Sequence, residues 1–129
     1  MKKPQWVLRE TVLALQEHLL AEFGGLGGLR DQGLFDSALA RPEQFYAYGK
    51  PDLFDLAAAY ASGLVRNHPF LDGNKRIGFT TAILFLELNG RHFTASEADA
   101  TLKTLALAAR ELDEAEFGAW LRKSCHPNL

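Results

Sequence analysis

The chain has 129 residues and a formal net charge of −2, with 47% hydrophobic and 23% charged residues. This length is enough for one domain, here residues 1–129, and it is too short for a two-lobed protein kinase. The composition is that of an ordinary globular protein, and the weak negative charge argues against direct binding to nucleic acid or a membrane surface. Any nucleotide chemistry must therefore come from a local patch.

The sequence predicts a cytoplasmic protein. Its single cysteine, Cys125, cannot form an internal disulfide, which fits a reducing compartment. Charged residues interrupt the N-terminal amphipathic stretch, which argues against a signal peptide. The most apolar stretch, residues 77–86, is well short of the roughly 20 residues that a membrane span needs.

The first half of the chain predicts one long and one short helix. Apolar residues at helical spacing indicate an amphipathic helix over residues 6–23. Its expected apolar face consists of Leu8, Val12, Leu15, Leu19 and Phe23, with Gln16 on the other side. The glycine-rich run 24–28 lacks the preceding strand and the Walker pattern of a phosphate loop, so a flexible helix-capping loop is the preferred interpretation.

Asp31 is placed to cap a second, short helix over residues 32–41. Pro42 is expected to stop this helix, because a proline disfavours helical angles in the residue before it. Residues 42–52 contain two prolines and a glycine, and they predict a loop or a small hairpin.

The second half of the chain predicts four more helices. They are expected over about 54–67, 74–88, 97–110 and 114–123, with Ser96 and Asp113 as caps of the last two. The helix over 74–88 is apolar nearly all round, which is typical of the buried centre of a fold. No segment alternates as a strand would. The predicted fold is an all-α bundle of about six helices, with loop 68–73 between two central antiparallel helices.

The most informative segment is 68–79, which reads His-Pro-Phe-Leu-Asp-Gly-Asn-Lys-Arg-Ile-Gly-Phe. A loop that leads into a helix N-terminus can bind an anion, because the first backbone N–H groups lack intrahelical partners. Lys75 and Arg76 oppose the helix macrodipole there, a local cost that an anionic ligand would offset. His68 can accept a proton at neutral pH, and Asp72 can hold Mg²⁺ beside nucleotide phosphates.

Each of these residues also has a structural interpretation. His68 alone would be a packed or capping side chain at a helix end, and Asp72 alone would be a turn residue. Asn74 is expected to cap the following helix in addition to any binding role. Arg66 either adds a third cation from the preceding helix or lies on its surface. The concentration of so many polar groups within nine positions favours phosphate-group chemistry.

The motif His-Pro-Phe-x-Asp-Gly-Asn-Lys-Arg resembles the active-site motif of the Fic/Doc superfamily, in particular of its Doc (death-on-curing) branch. Residues 30–42 and 85–90 also resemble that branch, so the likeness covers most of a single Fic/Doc domain. It implies that His68 is the catalytic base and Asp72 the metal-binding acid, with Phe70 as a core anchor. The phosphate-holding residues implied by position are Gly73, Asn74, Lys75 and Arg76.

The resemblance implies a Doc-type toxin that uses ATP and Mg²⁺. Such proteins transfer the terminal phosphate to a threonine of translation elongation factor Tu and arrest translation. AMP-transferring Fic proteins usually carry a glycine and an arginine where Lys75 and Phe79 stand here, so AMP transfer is the less favoured alternative. A non-catalytic, partner-binding domain is the third possibility.

The resemblance also bears on regulation. Many Fic proteins inhibit themselves through a helix with a Ser/Thr-x-x-x-Glu pattern, and no Ser or Thr here has Glu four residues on. The Doc resemblance implies inhibition by a separate antitoxin instead, and we expect a segment of that partner to fold onto an apolar groove beside residues 66–76. Aromatic residues between Phe45 and Tyr48 could line part of that groove, although core packing is the preferred role for them.

Overall fold

Residues 3–127, the part of the chain that the computed structural model describes, contain six α-helices and two short strands. The elements are α1 (Arg9–Phe23), α2 (Gln32–Tyr48), α3 (Leu53–Asn67), α4 (Asn74–Leu88), β1 (Arg91–Phe93), α5 (Glu97–Ala108), α6 (Glu114–Lys123) and β2 (Cys125–Pro127). The predicted all-α class is confirmed. The strands, which were not predicted, pair antiparallel with His92 opposite His126, and three residues are too few to show an alternating pattern.

Helices α3 and α4 form the centre of the bundle. A Cβ atom at Gly78 would lie 2.7 Å from Cγ2 of Val65, so the two backbones approach closely there. Further along, the rings of Tyr60 and Phe85 have centroids 5.2 Å apart. The end of α3 therefore lies beside the start of α4, and earlier residues of α3 lie beside later residues of α4. The predicted antiparallel pair is confirmed.

The most buried helix is α3 and not α4. Every residue from Leu56 to Val65 is buried, because α2, α4 and α6 all pack against α3. In contrast, α4 alternates buried positions with partly exposed ones, and Leu88 is exposed. Both helices are central as predicted, but the one that is apolar nearly all round is the less buried of the two.

The prediction that Pro42 ends the second helix is wrong. Helix α2 continues through Pro42 to Tyr48, and most of the predicted loop over 42–52 is helical. A proline fits helical φ, and its cost inside a helix is the loss of one N–H donor and steric crowding of the preceding turn. Here the Pro42 ring is buried, and Tyr46 packs edge-on against Trp6 with ring centroids 5.7 Å apart. This packing stabilises the continued helix.

Helix α1 also differs from its predicted pattern. It begins at Arg9, and two residues of the expected apolar face, Leu8 and Phe23, are exposed. Gln16, expected on the polar side, is only 3% exposed. Its amide lies against the loop that precedes α4, so a tertiary contact has replaced simple amphipathic burial at this position.

The predicted caps Asp31, Ser96 and Asp113 are confirmed. Each side chain accepts a hydrogen bond from a backbone N–H in the first turn of its helix, over 2.8 to 3.1 Å. Helix α5 ends at Ala108, two residues before the predicted end.

Within residues 3–127, no helix combines the length and the apolar character that crossing a membrane would require.

Candidate active site

The polar side chains of segment 68–76 lie on a loop that is anchored at both ends. His68 follows the last residue of α3 in a left-handed conformation, with φ 54° and ψ 52°. Phe70 is 2% exposed, and its ring packs edge-on against Phe35 with centroids 5.2 Å apart. The expected role of Phe70 as a core anchor is thus borne out by its position.

Asn74 holds the loop closed. Its Oδ1 accepts the Phe70 N–H over 2.9 Å, and its Nδ2 donates to the Phe70 carbonyl over 3.0 Å. The prediction that Asn74 caps α4 is wrong, because the N-cap is Gly73 in a left-handed conformation and Asn74 is the first helical residue. Its side-chain amide is occupied by Phe70, so a direct contact between Asn74 and phosphate remains a prediction.

A cavity of about 310 Å³ opens where this loop enters α4. It is lined by His68, Asp72, Gly73, Asn74, Lys75 and Arg76. The first hydrogen bond of α4 joins the Ile77 N–H to the Gly73 carbonyl over 2.9 Å, so the N–H groups before Ile77 belong to the unpaired first turn. The cavity therefore combines a proton acceptor, a carboxylate and a positive helix end.

Asp72 is exposed and held by two contacts. Its Oδ2 accepts the Leu26 N–H over 2.8 Å, and its backbone carbonyl accepts the Gln16 side chain over 2.7 Å. Its Oδ1 has no hydrogen-bond partner recorded among the described residues. No cluster of three metal-binding side chains occurs within residues 3–127. One open carboxylate beside a positive helix end fits Mg²⁺, which usually binds one or two carboxylates together with substrate phosphates.

The predicted cations differ in their surroundings. The guanidinium of Arg76 lies over the Phe23 ring, 4.1 Å from its centroid, which orients it at the cavity wall. Lys75 is exposed beside it. Arg66 does not line the cavity, and its Nε is buried without a hydrogen-bond acceptor in the described part of the chain. Its contact with phosphate stays a prediction.

The segment from Leu26 to Asp31 runs along the motif loop, and its role was not predicted. The Leu71 N–H donates to the Gly28 carbonyl over 3.1 Å, and the N–H groups of Arg30 and Asp31 donate to the Pro69 carbonyl over 2.6 and 3.1 Å. The glycine run does cap α1, through the Gly24 N–H. It also leads into this pairing, which links positions about 40 residues apart and leaves no local signal in the sequence.

Comparison with known proteins assigns the family. A model of the Fic/DOC family matches residues 6–86, which include the whole loop and most of α4. The chain belongs to the Fic/DOC family.

Two curated relatives carry the Doc name. The chain is 47% identical over 76 residues to "Toxin Doc" of Mycolicibacterium smegmatis, a match that covers 57% of this chain and 58% of that protein. It is 33% identical over 115 residues to "Protein kinase doc" of Escherichia phage P1, covering 88% of this chain and 90% of that protein. The chain thus spans less than two thirds of the mycobacterial relative and nearly all of the phage relative.

A second, larger cavity adjoins the Fic/DOC motif. This α1/α4/α5 groove, of about 530 Å³, has apolar walls that include Leu19, Phe23, Phe79 and Leu105. Lys75 and Arg76 line both the groove and the smaller cavity. The expected aromatic residues do not take part: neither Phe45 nor Tyr48 lines the groove, because the continued α2 places them elsewhere.

Proposed function

We propose that this chain is a Doc-type toxin, a cytoplasmic protein kinase that transfers the terminal phosphate of ATP to a threonine hydroxyl of translation elongation factor Tu. The main support is that His68, Asp72 and the cationic start of α4 line one cavity. The phage P1 relative, named a protein kinase, matches the chain over nearly its whole length, and the mycobacterial relative is named a toxin.

In the proposed reaction, the His68 imidazole accepts the proton of the threonine hydroxyl as the hydroxyl oxygen forms a bond to the terminal phosphorus. The bond between that phosphorus and its bridging oxygen breaks, and ADP leaves with the electron pair. The Lys75 and Arg76 side chains, with the first N–H groups of α4, stabilise the negative charge on the phosphoryl oxygens.

Asp72 would hold Mg²⁺ through its open carboxylate oxygen. When bound, the ion neutralises charge on the nucleotide phosphates. The hydrogen bonds from Leu26 and Gln16 keep the Asp72 carboxylate and backbone in place for this role.

The test is to incubate the purified chain with ATP, Mg²⁺ and purified elongation factor Tu, and to measure the mass of the factor. Added phosphate on a threonine supports the proposal. Added AMP would show the nucleotidyl-transfer alternative, and an unchanged mass in this mixture and in a whole lysate would favour a non-catalytic domain.

Three variants assign the roles. His68→Ala should remove transfer, by at least roughly 10²–10⁴-fold, because a positioned base contributes about that much. Asp72→Asn should raise the Mg²⁺ requirement, and Lys75→Ala should weaken the use of ATP. Circular dichroism must show that His68→Ala keeps its helices. Full activity in that variant would refute the role of the histidine, and loss of the fold would support a structural role.

The α1/α4/α5 groove is the proposed binding site of an antitoxin. An amphipathic helix that lays apolar side chains on Leu19, Phe79 and Leu105 would come within reach of Lys75 and Arg76, which also line the phosphate cavity. Such a partner would inhibit transfer by covering these cations. Expressing the chain with and without its genomic neighbour tests this: arrested growth only without the neighbour is the expected result.

A further inference from the structure

His68 has an unusual backbone for a residue with a side chain. It is one of two non-glycine residues with positive φ within residues 3–127, the other being Arg110. A left-handed conformation outside glycine persists only where neighbouring groups hold it. It sets the direction in which the side chain leaves the backbone, and within residues 3–127 the His68 ring makes no hydrogen bond that would orient it further.

The group that holds this backbone is Arg30. Its Nε donates to the His68 carbonyl over 2.7 Å, and one terminal nitrogen donates to the Asn67 carbonyl over 2.9 Å. Two charge-assisted bonds from one planar guanidinium fix the directions of two successive carbonyls. The backbone N–H of Arg30 also donates a hydrogen bond to the next carbonyl, that of Pro69, over 2.6 Å.

We propose that Arg30 is a positioning residue, whose guanidinium holds the Asn67 and His68 carbonyls and thereby directs the His68 imidazole into the phosphate cavity. The kinetic part of this inference rests on the proposed function. Arg30 is exposed and touches the backbone of the base, so it acts on the reaction only through His68.

The alternative is that Arg30 merely caps α3. The last carbonyls of any helix lack intrahelical partners, and an arginine that binds them adds stability. Loss of such a cap would lower the melting temperature without a specific effect on His68 or on kcat. The test must therefore report on His68 itself.

The experiment uses the full chain with Arg30→Met and Arg30→Lys. NMR spectra of isotope-labelled protein report the Cα and imidazole signals of His68, and steady-state kinetics with ATP give kcat and KM. For Arg30→Met we expect shifted His68 signals and a kcat lowered by up to about 100-fold, because a misplaced group costs that much. KM for ATP should stay within about twofold. Arg30→Lys keeps the charge without the planar fork, and should give intermediate values.

The matched control is Arg41→Met, which removes another exposed arginine that joins two parts of the fold, through its ion pair with Glu114. It should leave both the His68 signals and kcat unchanged.

The inference is overturned if a folded Arg30 variant keeps wild-type His68 signals, or keeps wild-type kcat in an active protein. If Arg30→Met does not fold, Arg30→Lys decides by the same criteria. If the wild-type chain transfers no phosphate, the proposed function fails, and the His68 signals alone still decide the role of Arg30.

Discussion

Asp72 shows how one exposed side chain depends on a single backbone N–H. The Leu26 N–H reaches its Oδ2 because Gly25, with φ +122°, lets the glycine run pass close by. A Cβ atom at Gly25 would lie 3.1 Å from the Asp72 Cβ and 3.0 Å from Cδ2 of Leu20. The Leu20 methyl group can shift, but the Asp72 Cβ is bonded to the backbone and can move only with the loop, so the glycine favours this approach.

We therefore predict that Gly25→Ala raises the Mg²⁺ concentration needed for half-maximal transfer, because the loop shifts and Asp72 loses its Leu26 partner. The control is Gly24→Ala, where φ is +83° and nothing lies within 4 Å of an added Cβ. It imposes backbone strain of about 1–3 kcal/mol, because alanine disfavours this φ and ψ combination, without touching Asp72. Magnesium titrations measure the effect, and equal shifts in both variants would contradict it.

Tyr60 provides a prediction about pH. Burial raises the pKa of its hydroxyl to about 12, from an ordinary value of 10.0, even though the Val7 N–H bond favours the anion. The unfolded chain therefore releases this proton at lower pH than the folded one. The stabilisation is fully present below pH 10 and is lost as the pH rises towards about 12.

Tyr60→Phe should make the free energy of unfolding fall less steeply between pH 10 and about 12. At neutral pH it should lower that free energy by about 1–3 kcal/mol, because the buried Val7 N–H loses its acceptor. Tyr48→Phe is the control, since Tyr48 is 92% exposed and its removal should leave the alkaline slope unchanged. Urea unfolding at several pH values provides the measurement, and equal slopes in wild type and Tyr60→Phe would disprove the assignment.

The contact between α3 and α4 leaves little free space. The 2.7 Å separation at Gly78 leaves no room for a methyl group, and the Ala61 carbonyl lies 3.1 Å from the same point. His68 follows the end of one helix, and the proposed phosphate-binding turn lies at the start of the other. Their spacing therefore sets the geometry of the proposed site.

Gly78→Ala should lower the free energy of unfolding by about 1–3 kcal/mol through overpacking. Gly118→Ala in α6 is the matched control, because its nearest neighbours would be 3.4 Å or more from the new Cβ. There the higher helix propensity of alanine should leave stability unchanged or raise it by up to about 1 kcal/mol. Denaturant titrations of both variants distinguish the cases, and equal effects would show that the α3–α4 contact is not the cause.

For the molecule as a whole, the α1/α4/α5 groove links the proposed catalytic cavity to the proposed partner. Helix α5 offers a matched pair of exposed leucines: Leu105 lines the groove and is 47% exposed, whereas Leu102 does not line it and is 65% exposed. The two positions share a helix and a residue type, so they isolate the effect of the groove.

Leu105→Glu should weaken binding of the antitoxin by roughly 10-fold or more, because an unpaired charge in an apolar interface costs about 1–3 kcal/mol or more. Phosphate transfer by the free protein should not change, so this variant should resist neutralisation in cells. Leu102→Glu should bind like the wild type. Calorimetry with the co-expressed neighbour measures the affinities, and normal binding of Leu105→Glu would place the partner elsewhere.

Local sequence was sufficient for the all-α class, for the caps Asp31, Ser96 and Asp113, and for the family. These features depend on neighbouring residues: a cap needs one side chain and the next turn, and the motif is a continuous run. The residues of the motif also lie close together in space, because positions 68 to 76 span only one loop and one turn of helix. Chain continuity alone places most of them around the same cavity.

The features that local sequence did not reveal depend on contacts between distant segments. Gln16, Leu26 and Arg30 hold the motif loop from about 40 or more residues away, and their partners are mostly backbone groups, which leave no pattern of residue types. The same reason explains the continued α2. Packing of Pro42 and Tyr46 in the folded chain outweighs a local preference of the backbone, and only the tertiary structure contains that packing.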